Sequence, residues 1–174
     1  MKIEKGANAF DLINGLVVPS MQIFDKNGII ERLLPSFGSK RVEYECFLLS
    51  SIMAVLLIRK NYPVWFKESN MLFEMIQATL PFYESTGLNS LNNPKMDEEK
   101  ITKYIFERWG KYERSFVDPS RKDDFSDIHD LVFECKGDNY WVVKNIDISR
   151  LNFKISILEC TNLMVNFGEN STAK

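Results

Sequence analysis

The stretch RVEYECFLLSSIMAVLLIR, Arg41 to Arg59, decides the fold. Val42, Cys46, Leu49, Met53, Leu56 and Leu57 recur at helical spacing and make one face. Phe47, Ile52, Val55 and Ile58 make much of the remaining circumference apolar as well. A helix with so little polar surface must be surrounded by other helices, so it is read as the central element. Ser50 and Ala54, four residues apart, mark a place where a neighbouring backbone can come close. The greasiest part, Cys46 to Ile58, contains two serines and falls short of the roughly 20 residues that span a bilayer. Glu45 follows Arg41 by one helical turn and reads as half of a weak surface pair, about 0.3 kcal/mol. Glu43 and Glu45 point to different faces, so a paired-carboxylate role would need partners from another helix.

Working toward the C-terminus, Pro63 suits the first turn of a second helix over Val64 to Leu80, with Pro81 closing it. Tyr83 to Asn93 is polar and reads as a loop. Asn93-Pro94 then offers a cap and first turn, and Asp97, Glu98 and Glu99 put negative charge where the helix dipole favours it. Ile101, Ile105, Trp109, Tyr112 and Phe116 form the cleanest amphipathic face in the chain, ended by Asp118-Pro119-Ser120.

Toward the N-terminus, Ala9 to Val18 reads as a helix with Asn8 as N-cap and Pro19 near its end, although Gly15 weakens it. Asp25-Lys26-Asn27-Gly28 is a turn. It is not a calcium loop: placing Gly28 at the sixth position puts Ile23 and Leu34 where oxygen ligands must stand. Ile29 to Leu34 can form a short helix.

The last third carries two readings. Asp123 to Cys135 has Phe125, Ile128, Val132 and Cys135 at helical spacing, but Leu131–Glu134 and Tyr140–Val143 could pair as a hairpin across Gly137-Asp138-Asn139. Leu151, Phe153, Ile155 and Ile157 alternate with polar residues as a strand does. As a helix, the same segment puts Leu151-Ile155-Leu158 and Phe153-Ile157-Cys160 on nearly opposite sides and requires burial on both. The expected fold is therefore mainly α, a compact orthogonal or up-down bundle of about five to seven helices, with an α+β arrangement carrying a small C-terminal hairpin or sheet as the alternative. Residues 1–167 read as a single domain and 168–174 as a disordered tail.

The 174 residues suit one core that needs no metal or disulfide staple. The net charge is −2, residues 1–90 carry nine charges of each sign, and no basic stripe appears, which argues against nucleic acid as a partner. Cys46, Cys135 and Cys160 have no redox or zinc spacing and read as buried thiols of a cytoplasmic protein. The first residues lack the apolar run of a signal peptide, and no membrane segment is expected, so Asn170-Ser171-Thr172 carries no glycosylation argument. Nucleophile-elbow, Walker and dinucleotide motifs are absent from the sequence.

His129, the single histidine, lies in an acidic run and is a candidate general base. On a helix, Asp123, Asp127, Asp130 and Glu134 share one stripe. That stripe is the wet face of an amphipathic helix or, if a cation neutralises it, a candidate metal site of a hydrolase or nucleotide-processing enzyme. Trp65, Phe66, Tyr104, Trp109 and Tyr112 are candidates for an interface or a ligand pocket, since Trp and Tyr anchor interfaces economically. The leading expectation is a helical protein-interaction or self-association module without cofactor, its partner a protein or a second copy. A metal-dependent enzyme and a small-ligand-binding protein are the alternatives.

Overall fold

Asn8 starts the first helix with a reciprocal cap: its Oδ1 accepts the Asp11 N–H at 3.1 Å, and its own N–H donates to Asp11 Oδ2 at 3.2 Å. The computed structural model describes residues 8–30, 37–68, 70–86, 96–118, 125–133 and 146–172. Helix α1 (Ala9–Leu12) runs through a π-helical turn (Ile13–Val17) directly into α2 (Val18–Lys26). Pro19 therefore lies inside a helical run that the sequence reading ended beside it. Proline has no N–H to give the Gly15 carbonyl, and the widened turn before it pairs Val18 N–H with Ile13 O instead.

The Asp25–Gly28 turn is a Schellman cap. Gly28 adopts φ +71°, its N–H donates to Asp25 O at 3.0 Å, and Ile29 N–H donates to Phe24 O at 2.9 Å. Phe24 and Ile29, the residues that such a cap brings together, are both buried.

Helix α3 (Phe37–Asn61) is the central element that the sequence predicts. Tyr44, Cys46, Leu48, Leu49, Ile52 and Ala54 point round its whole circumference and all have 0% exposure. Its neighbours on every side are the π turn, α2, α4 (Pro63–Glu68), α5 (Met71–Ser85), α6 (Glu98–Val117), α7 (Ser126–Phe133) and α8 (Ile146–Thr172).

The single helix expected over Val64 to Leu80 is two, α4 and α5, and Pro81 does not close the second. Pro81 sits within α5, where the carbonyl it deprives of a donor belongs to Gln77. Both residues are exposed, so water can satisfy that carbonyl. Continuing α5 brings Phe82 onto Phe47, ring centroids 3.9 Å apart, and Tyr83 edge-on to Tyr44 at 4.9 Å.

Helix α6 is capped by Asp97, whose side chain accepts the Lys100 N–H at 2.9 Å; the cap expected at Asn93-Pro94 lies outside the described residues. Its Ile101, Ile105, Trp109 and Tyr112 are buried as the periodicity predicts.

The C-terminal strands are overturned. Leu151 to Ile157 is helical, as is Leu131 to Phe133, and no strand occurs among the described residues; Tyr140–Val143 lies outside them. The alternation has a helical cause. Residues two apart on a helix differ by about 200°, so two apolar faces on opposite sides mimic a strand's period. Helix α8 continues past Gly168, the start of the expected tail, to Thr172. The fold is thus mainly α, as the leading reading has it. Among the described residues no helix is long and apolar enough to cross a membrane.

Candidate functional site

Of the four acids in the predicted stripe, Asp127 and Asp130 are described and exposed, while Asp123 and Glu134 lie outside the described residues. Asp130 is already engaged. Arg150 Nη2 donates to both its oxygens, at 3.1 and 3.0 Å, and His129 Nδ1 lies 2.9 Å from Oδ1. Burial alone would raise the Asp130 pKa, but the hydrogen bonds from His129 and Arg150 outweigh it and hold the carboxyl below its usual range. Among the described residues no three His, Cys, Asp or Glu side chains gather as metal ligands.

His129 is not on the wet face of α7 but inside, with 2% exposure. Its Nε2 lies 3.0 Å from Ser149 Oγ. A neutral ring with its proton on Nδ1 satisfies both contacts, donating to Asp130 and accepting from Ser149. Burial holds the ring's pKa below its ordinary value, against the opposing pull of Asp130. Phe133 and Phe153 pack against the imidazole, with centroids at 4.6 and 5.5 Å. The line Ser149–His129–Asp130 fastens α7 to the first turn of α8. With the imidazole walled by two aromatic rings, the geometry favours this clamp over a general base.

The most elaborate polar constellation centres on Glu45, which the sequence reading placed on the surface. That reading is corrected: Glu45 has 0% exposure. The Tyr104 hydroxyl donates to its Oε1 and the Tyr112 hydroxyl to its Oε2. Arg108 Nε lies 3.1 Å and Arg41 Nε 3.9 Å from Oε1. The Arg41 guanidinium also donates to Leu131 O at 3.2 Å, and that of Arg108 stands over the Tyr104 ring at 5.4 Å from its centroid.

Burial, reinforced by the Glu45 charge, pushes both tyrosine pKa values well up, so the hydroxyls stay protonated and donate. Burial works to lower the Arg108 pKa, but Glu45, Tyr104 and Tyr112 together more than offset it and keep the guanidinium charged. A carboxylate so surrounded has its lone pairs committed inside the protein, which suits holding helices together rather than receiving substrate.

None of the aromatic candidates whose side chains are described is exposed. Tyr112 and Trp109 are core residues, Tyr104 and Phe66 are half-buried, and Trp65 lies on α4 with a side chain outside the described set. Among the described residues there is an apolar cleft whose lining does not include Trp109. A cavity of about 480 Å³ is lined by Met53, Leu56, Leu57, Phe116, Val117 and Met164, with Arg59 and Lys60 at its rim. Cys46 and Cys160 are buried, and burial pushes the Cys160 thiol up to about 12 and that of Cys46 well above its ordinary value, which removes both as nucleophiles.

Exposed apolar side chains are scattered over several helices, and five of them share one face of α8. Phe153, Ile157, Cys160 and Met164 face the core with at most 2% exposure. On the other side Ile148, Leu151, Ile155, Leu158 and Val165 are 55, 56, 40, 39 and 39% exposed. The sequence reading required burial on both faces, and the described residues bury one. Sequence spacing contained this face, but a partner-free structure was needed to show which side the body uses. Comparisons with known protein families, with curated proteins and with solved structures return no match to this chain.

Proposed function

We propose that this chain is a helical interaction module whose working surface is the outer face of α8. One observation carries the reading: five large aliphatic side chains line up on one side of a 27-residue helix whose opposite side is anchored in the core. Single exposed aliphatics are ordinary, but a continuous row of them marks a surface that another protein covers. The flanking positions Asn152, Lys154, Thr161 and Asn166 are polar, which gives the row the wet rim of a helix-packing interface. Lys154 and Glu159 flank the row, and Asn162 is the one polar residue within it.

Site-specific photocrosslinking in the native host tests the reading. A benzophenone side chain in place of Ile155 is expected to give a discrete protein adduct, and the same group in place of the exposed Lys103 on α6 is not. Free chain alone from the Ile155 position overturns it.

A further inference from the structure

The spacing of the exposed row identifies its occupant. Ile148, Leu151, Ile155, Leu158, Asn162 and Val165 are separated alternately by three and four residues, the a and d positions of successive heptads. Isoleucine holds the first two a positions and leucine the first two d positions, the combination that favours two parallel strands. Asn162, exposed like its neighbours, holds the third a position.

Asparagine inside an apolar seam needs a partner for its amide. In a parallel, in-register pair, each a position meets the same position of the other strand, so two Asn162 side chains bond to each other. An antiparallel pair sets a against d and leaves the amide opposite an aliphatic side chain.

The flanks agree. In the heptad frame Lys154 is a g position and Glu159 the following e position, the two that face each other across a parallel two-stranded seam. Each Lys154 would reach Glu159 of the second copy, and the two-fold axis makes that contact twice. Asn27 Nδ2 donates to Glu159 Oε2 at 3.1 Å, so one carboxylate oxygen is held by the body before association.

Among the described residues the body lies away from such a pair. At 100° per residue, the centre of the core-facing row Phe153-Ile157-Cys160-Met164 lies about 160° from the centre of the a/d row. Two copies joined along α8 therefore carry their bodies on opposite outer sides.

We infer that two copies of this chain associate along α8 as a parallel, in-register two-stranded coiled coil keyed by Asn162. The inference rests on the proposed interaction face and names its partner. Sedimentation equilibrium of the purified full chain tests it, with the Ile155 crosslink read alongside. The wild type should sediment at twice the 20.3 kDa chain mass. Leu151→Glu/Leu158→Glu should sediment at the chain mass with unchanged helical circular dichroism.

Lys154→Glu should weaken the dimer at least tenfold at low salt, and Lys154→Glu/Glu159→Lys should recover most of that loss. Asn162→Val should tighten association or admit trimers. A wild type that stays monomeric at millimolar concentration, or a dimer indifferent to both Leu151→Glu/Leu158→Glu and Lys154→Glu, overturns the inference. An Ile155 adduct of some mass other than two chains overturns it while leaving the interaction face standing. No adduct at all overturns both.

Discussion

Arg108 Nε lies 3.1 Å from Glu45 Oε1, an ion pair closed between α6 and α3 around a carboxylate with no solvent exposure. Replacing such a pair by apolar groups can be neutral, but removing one partner strands the other's charge. Glu45→Ala should therefore cost about 3–5 kcal/mol of unfolding free energy. Tyr112→Phe, which removes a single donor to Oε2, should cost about 1–3 kcal/mol. Urea denaturation followed by circular dichroism reads both, and a Glu45→Ala loss under 1 kcal/mol would place the carboxylate in water.

The two faces of α8 should respond oppositely to truncation. Phe153→Ala empties a fully buried site and should cost about 3–5 kcal/mol. Leu151→Ala, two residues away on the outer face, should change stability by no more than about 0.5 kcal/mol when measured on dilute monomer. Equal losses at the two positions would mean that the body covers both faces.

His129 gives the fold an acid-sensitive step. Its folded pKa lies below the ordinary value of about 6.5, so the unfolded chain binds the proton more readily. The stability that this difference contributes is intact above about 6.5 and declines as pH falls from there through the folded pKa. Asp130, whose pKa is also held down, adds a second decline at more acid pH, below the usual carboxylate value. Chemical denaturation in steps from pH 8 to pH 4 should show the first decline in the wild type and lose it in His129→Gln. A wild-type profile flat across pH 7 to 5 would contradict the buried neutral ring.

Gly28 is the one described glycine with positive φ, and no neighbouring atom lies within 4 Å of where a Cβ would stand. Gly28→Ala should therefore cost about 1 kcal/mol through backbone strain alone, without a clash. Thermal melts of the two chains should show that difference with identical helical content. A loss several times larger would mean that the turn does more than cap α2.

The parts of this fold most legible in the sequence are those with one apolar face. Ile101, Ile105, Trp109 and Tyr112 announce α6, and Asn8 announces the start of α1. Helices with two faces are harder. On α8 the outer and inner rows interleave so that Leu151, Phe153, Ile155 and Ile157 imitate a strand, and only the placement of the body separates them. The burial of Glu45 is hidden in the sequence because an i,i+4 pair with Arg41 resembles many exposed pairs. A signal was nevertheless present: a helix apolar all round has no wet side on which to put a carboxylate. What the sequence could not supply was the set of distant donors, Tyr104, Arg108 and Tyr112, which only the packing of α6 on α3 brings there. Pro19 and Pro81 do not mark helix ends, because a proline stops a helix only when the carbonyl it frees has nowhere else to turn.

Arg41 has a wider reach than one contact. The same guanidinium stands beside Glu45 and donates to the Leu131 carbonyl of α7, while Glu45 takes its hydroxyl donors from α6. Three helices remote in the chain thus share one electrostatic knot, and none can peel away without exposing charge belonging to the others. Slowly exchanging amides of α3, α6 and α7 should consequently open together, at a common free energy, rather than fray one helix at a time.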